Sequence, residues 1–175
     1  MPFLNEYMAR YNETKDIGYI SFLTNNHDMA RLSHFYTEHE LRLIYCMLFT
    51  MPGVPFLYYG DEIGMQGYRD PFNRGYYQWW RQDEYILKNI KWLANFRKSH
   101  HEYREGGLHF IHVSHNAVAY VRYEHEDEVL TAVNRGNGPE TFVYKDKMYT
   151  LPHQLLCLSG SDATQSRIQH LSDSD

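Results

Sequence analysis

Two short, almost unbroken apolar runs separated by one helix-forming stretch constrain this chain more than any other feature. Ile17-Gly-Tyr-Ile-Ser-Phe-Leu23 and Val54-Pro-Phe-Leu-Tyr-Tyr59 have strand length and little polar alternation, the pattern of strands covered on both faces in a parallel sheet. Between them Thr37-Glu-His-Glu40 places a Thr three residues before a Glu, the signature of a capping box, ahead of the apolar stretch Leu41 to Phe49. Met51-Pro-Gly53 stops that helix. Strand, helix, strand in this order predicts a parallel βαβ unit.

The flanking segments extend the pattern. Phe3, Leu4, Tyr7, Met8 and Tyr11 recur at helical spacing, predicting a short amphipathic helix over 3–13. Residues 60–80 carry four Gly, one Pro and no regular period, which reads as a long loop of the kind that is usually functional. Helical spacing returns over Asp83 to Lys98, and Gly106-Gly107 marks the expected domain boundary. Beyond it, short runs at His109 to Ser114, Ala117 to Tyr123, Val129 to Asn134, Thr141 to Tyr144 and Leu155 to Leu158 predict an antiparallel β-sandwich over 106–159. The polar tail at 160–175 is expected to be disordered.

Each strand run opens onto polar residues. Asn26, His27 and Asp28 follow the first, where an Asp can stabilise a developing positive charge and the other two can hydrogen-bond neutral hydroxyls. A polar turn that merely ends a strand is the alternative. The stretch Phe22-Leu-Thr-Asn-Asn-His-Asp28-Met-Ala-Arg31 resembles the Asn-His-Asp motif at the seventh barrel strand of the α-amylase family. Met51-Pro-Gly-Val-Pro-Phe-Leu-Tyr-Tyr-Gly-Asp-Glu62 resembles that family's Gly-x-Pro-x-x-Tyr-Tyr-Gly-x-Glu signature at the eighth. The two in order, at this spacing, are a specific signal.

The resemblance implies an α/β plus β architecture. Residues 1–105 would form the last two strand/helix units of a (β/α)8 TIM barrel, followed by the small antiparallel domain. It implies action on α-glucosidic bonds with retention of configuration, which needs a nucleophile and an acid/base carboxyl close together. In the family those lie at the fourth and fifth strands. A complete barrel takes about 250 residues, so this chain carries neither strand and is expected to be inactive alone. By the match Asp28 is the catalytic carboxylate that stabilises the transition state, with His27 and Asn26 binding the same sugar. Asp61-Glu62 resembles a catalytic pair only superficially, and the match makes Glu62 structural. In the loop, Asp70-Pro71, Arg74 and Trp79 resemble a substrate-binding pattern of the neopullulanase and cyclomaltodextrinase branch, with Asp70 and Arg74 gripping a glucose unit. An exposed salt bridge is the other reading of that pair. The family's usual Arg-Pro-Met before the Trp is replaced here by Gly75-Tyr76-Tyr77.

Composition narrows the partners. The net charge is −5 and the 17 Lys and Arg are scattered, so no nucleic-acid footprint is present. There are 16 Tyr and 3 Trp, many of the chain's aromatics falling between 56 and 80, which taken alone reads as ordinary core packing, with stacking on sugar rings as the other reading. Cys46 and Cys157 lie in apolar stretches and read as buried reduced thiols. His100, His101, His109, His112 and His115 lack zinc-site spacing. No metal site or cofactor is expected from these residues, although full-length family members often bind calcium through other barrel segments. No leader or membrane span is expected, with a cytoplasmic location as the default. The expected partner is an α-glucan or maltooligosaccharide, and open parallel edges predict a homo-oligomer. A non-catalytic glycan-binding module and a truncated remnant are the competing readings.

Overall fold

A computed structural model describes residues 2–153 and 155–159, with 2, 3 and 155–159 described through their backbone alone. The chain forms two compact units, Pro2–Ser99 and a second that begins at His100.

In the first unit, β1 (Ser21–Leu23) and β2 (Val54–Phe56) pair in parallel, with Ser21 beside Val54 and Leu23 beside Phe56. The connection between them is α2 (Glu38–Thr50), as the order of runs predicts. Its capping box forms: Glu40 N–H donates to Thr37 Oγ1 at 3.3 Å, and Thr37 N–H donates to Glu40 Oε2 at 2.8 Å. Leu41, Tyr45 and Leu48 are buried along one face. Burying a leucine contributes about 2 kcal/mol and a cap about 1 kcal/mol, so packing outweighs capping in holding α2. Arg97 closes the other end, its guanidinium donating to Phe49 O, Met51 O and Gly53 O at 2.8, 3.2 and 2.6 Å. Arg97 belongs to α3 (Glu84–Ser99), which starts where Asp83 Oδ1 accepts from Tyr85 N–H and Ile86 N–H, and which packs on α2. The remaining helix, α1, spans Pro2–Thr14. Gly53 is required where β2 begins, because at its φ of +93° a Cβ would lie 2.5 Å from Ile20 O.

In the second unit, β3 (Gly107–Val113), β4 (Ala117–Glu124), β5 (Asp127–Asn134) and β8 (Leu155–Ser159) form an antiparallel sheet in the order β3-β4-β5-β8. A separate hairpin joins β6 (Glu140–Tyr144) to β7 (Lys147–Leu151). Phe142 and Leu151 of the hairpin pack on Ala117, Ala119 and Val121 of β4 and Leu130 and Ala132 of β5. On the rest of the sheet, Tyr103 Oη lies 2.9 Å from Thr131 Oγ1, and buried Arg122 donates to Gly106 O and Gly107 O at 2.7 and 3.0 Å.

The strand pattern differs from expectation in places. Only Ser21–Leu23 of the first apolar run is strand, and it is not covered on both faces: Ile17 is 86% and Tyr19 70% exposed. Within the strand Ser21 and Leu23 are exposed, while Phe22 is half-buried against Tyr7, in a sheet of two strands among the described residues. The first compact unit ends at Ser99, ahead of the glycine pair, and Tyr103 hydrogen-bonds Thr131 in the sheet of the second. Among the described residues, the second unit holds a four-stranded sheet and a two-stranded hairpin. Strand β7 has no counterpart among the expected runs, since its turn is Lys145-Asp146, two residues with φ of 47° and 60° in place of the usual Asn-Gly signal. Cys46 is fully buried; the Cys157 side chain and the tail at 160–175 lie outside the described residues.

Candidate active site

The polar residues after β1 form a tight turn. Asn26 Oδ1 accepts from Asp28 N–H at 2.9 Å and Asn26 O accepts from Met29 N–H at 3.2 Å. Asn26 therefore spends its side-chain oxygen shaping the turn. The result is an Asp28 carboxylate 68% exposed, with His27 Nε2 3.3 Å from its Oδ2.

The loop after β2 comes back to this turn. Arg74 Nη2 lies 3.5 Å from Asp28 Oδ1, its Nε lies 3.3 Å from Asp70 Oδ1, and the same Nε–H donates to His27 O at 3.1 Å. One guanidinium thus gathers Asp28, Asp70 and His27, so the four residues singled out from two distant stretches meet in space. All remain open to solvent, where a flat, hydroxyl-bearing ligand can reach the carboxylates and the imidazole. Trp79 is 74% exposed nearby in sequence and pairs with Tyr77 at a centroid distance of 4.5 Å.

Beneath the exposed cluster lies a buried one that sequence reasoning does not single out. Arg31, 0% exposed, sits 3.3 Å from Asp61 Oδ1, with its guanidinium 4.0 Å from the Tyr58 ring centroid and 4.6 Å from that of Tyr59. It also donates to Tyr59 O and, through Nε–H at 2.9 Å, to Asn73 O. Asn25 Nδ2 donates to Asp61 Oδ1 at 3.2 Å and Tyr45 Oη donates to Asp61 O at 3.4 Å. Burial pushes the Asp61 carboxyl up to about 6, outweighing the opposing pull of Asn25 and Arg31. The same burial, with Asp61 and Glu62 nearby, drives the Tyr45 phenol far above its ordinary range. Glu62 accepts from Gly60 N–H at 2.9 Å within its own loop and so works as a turn residue. Arg31 stands three positions after Asp28; its only sequence signal is its place at the end of the first motif. Among the described residues, no three His, Cys, Asp or Glu are grouped to hold a metal ion, and no helix is long and apolar enough to cross a membrane.

An exposed carboxylate on the loop that leaves a parallel strand, braced by the loop leaving the next strand, is how α/β-barrel catalytic domains present their chemistry. Residues 2–102 match the family model described as alpha amylase, catalytic domain. A 4-alpha-glucanotransferase from Thermotoga neapolitana is 30% identical over 166 residues, covering 73% of this chain and 37% of that protein. A cyclomaltodextrinase from a Bacillus species is 28% identical, covering 79% of this chain and 24% of that protein. Among solved structures, the cyclic alpha-maltosyl-(1→6)-maltose hydrolase from Arthrobacter globiformis superposes with a TM-score of 0.72 at 26% identity, covering 80% of this chain and 35% of the hydrolase. The chain belongs to the alpha-amylase family, and it spans roughly a quarter to a third of the length of these relatives.

Proposed function

We propose that this chain supplies the Asp28 face of the active site in a retaining hydrolase of α-glucosidic bonds, acting on starch-derived oligosaccharides. Asp28 stabilises the oxocarbenium-like transition state, His27 and Asn26 hydrogen-bond the same sugar, and Asp70 with Arg74 holds the neighbouring glucose unit. The single observation that carries the reading is that Arg74 joins Asp28 and Asp70 at 3.5 and 3.3 Å while all three stay exposed. A carboxylate engaged by one guanidinium is held in place, facing the positive charge that develops at the anomeric carbon.

In this reading residues 1–105 are the last two strand/helix units of a (β/α)8 barrel. Exposed Ile17, Tyr19, Leu23, Val54 and Phe56 are the positions that the other barrel units would cover. The nucleophile and acid/base belong to those units, and the 175 residues alone are inactive. The hairpin β6–β7 over the four-stranded sheet is the second layer of a small sandwich.

The test is a chimera in which residues 1–105 replace the matching segment of a cyclomaltodextrinase, assayed for reducing sugar released from maltotriose. Release by the chimera, lost by at least about 100-fold in its Asp28→Asn form, is the expected outcome. An Asp28→Asn chimera as fast as its parent sinks the assignment, and so does release by the 175-residue chain alone.

A further inference from the structure

The loop that carries Asp28 is held by a buried side chain on the loop after β2. Asn73, 2% exposed, donates both hydrogens of its amide: Nδ2 lies 2.7 Å from His27 O and 3.0 Å from Met29 O. Those are the carbonyls immediately before and after Asp28. Both partners accept only, which settles the orientation of the amide, because its oxygen could bond neither. His27 O takes a second bond from Arg74 Nε–H at 3.1 Å, filling its two lone pairs from one short segment. The fastening is reciprocal. Arg31, on the Asp28 loop, donates from Nε to Asn73 O at 2.9 Å and from its backbone N–H to Gly67 O at 2.8 Å. Gly67 lets its own loop fold tightly enough for this, since a Cβ there would lie 2.5 Å from Phe72 O.

We propose that Asn73 is a positioning residue for Asp28, fixing the backbone on either side of that carboxylate through two buried hydrogen bonds. The inference rests on the role of Asp28 proposed above. Asp28 itself is 68% exposed and has few contacts of its own to hold it, so the location of its carboxylate is inherited from its backbone. A displacement of about 1 Å at such a group can cost about 100-fold in rate.

Two measurements decide the matter. In the full 175-residue chain, amide hydrogen exchange is compared between the parent, Asn73→Asp, which keeps the shape without donors, and Asn73→Ala, which loses the amide without burying a charge. The amides of Asp28, Met29 and Arg31 should exchange at least about tenfold faster in both variants, while that of Leu48 in α2 keeps its rate. Unchanged exchange at Asp28 and Met29 overturns the proposal, as does loosening that extends equally to Leu48. If Asn73→Asp fails to fold, the exchange rates of Asn73→Ala alone decide between these outcomes. In the chimera described above, the same substitutions should lower kcat by about 100-fold and leave KM within about threefold, because the interaction lost is one made in the transition state. A loosened loop with unchanged kcat also overturns it. Should the parent chimera be inactive, the proposed function fails, and the exchange data still decide whether Asn73 fastens the loop.

Discussion

The Arg31–Asp61 and Arg74–Asp70 pairs are both closed at 3.3 Å, yet the side chains of the first are 0% and 2% exposed and those of the second 45% and 62%. The first joins the loop after β1 to the loop after β2, and the second closes within the latter. Distance does not separate their roles; solvent does. The buried pair is surrounded by Asn25, Tyr45, Tyr58 and Tyr59 and holds the two loops together. The exposed pair, with Asp28 attached, leaves its charges available to a ligand. Desolvated charges cost several kcal/mol unless partnered, whereas exposed pairs are worth little to stability. One therefore belongs to the scaffold and the other to the proposed site.

The sharpest way to break this contrast is Asp61→Ala, which leaves the Arg31 charge buried without its carboxylate. Unfolding in urea should show a loss of about 3–5 kcal/mol; a loss below about 1 kcal/mol would put the buried pair in the same class as the exposed one. The pH dependence of stability sharpens the contrast further. The folded Asp61 carboxyl sits at about 6 against an ordinary 3.8, so the folded state binds that proton more tightly than the unfolded chain does. Its contribution to stability is complete below 3.8 and is lost as pH rises through about 6. Asp61→Asn should abolish that part of the slope, which is at most about 1.4 kcal/mol per pH unit. Equal slopes in the two proteins would mean that Asp61 does not titrate differently on folding. The smallest effect is expected at the surface. Arg74→Ala should change unfolding free energy by less than about 1 kcal/mol, and an Arg74/Asp70 double-mutant cycle should give a coupling that fades when salt is raised to about 1 M. A coupling that survives such salt would show the pair to be shielded from solvent.

What is legible in the sequence follows the same division. Thr37 and Glu40, the stop at Met51-Pro-Gly53 and the helical period of 83–98 are local signals, and α2 and α3 begin and end close to where those residues place them. The parallel pairing of β1 and β2 is readable because a strand, a capped helix and a strand leave few other arrangements. Asp28, His27, Asp70 and Arg74 stand out one stretch at a time, and the structure brings them to one guanidinium. Arg31, Asn25 and Asn73 do not, and Asp61 shows only as an apparent pair with Glu62, because burial of a polar side chain depends on what the rest of the chain lays over it. The β1 run is longer in the sequence than in the structure for a related reason. Apolar character reports what a strand would have covering it, and Ile17 and Tyr19 are largely exposed.

The sequence by itself determined the local elements of this protein, the two motif-bearing loops and the exposed carboxylate at the end of β1, since caps, turn residues and apolar runs act over a few residues. Only the tertiary structure decided which of its arginine–aspartate pairs is buried and which exposed, and that Asn73 clasps the backbone on both sides of Asp28. Those outcomes depend on desolvation and on hydrogen bonds closed between residues more than forty positions apart, and no local pattern encodes either.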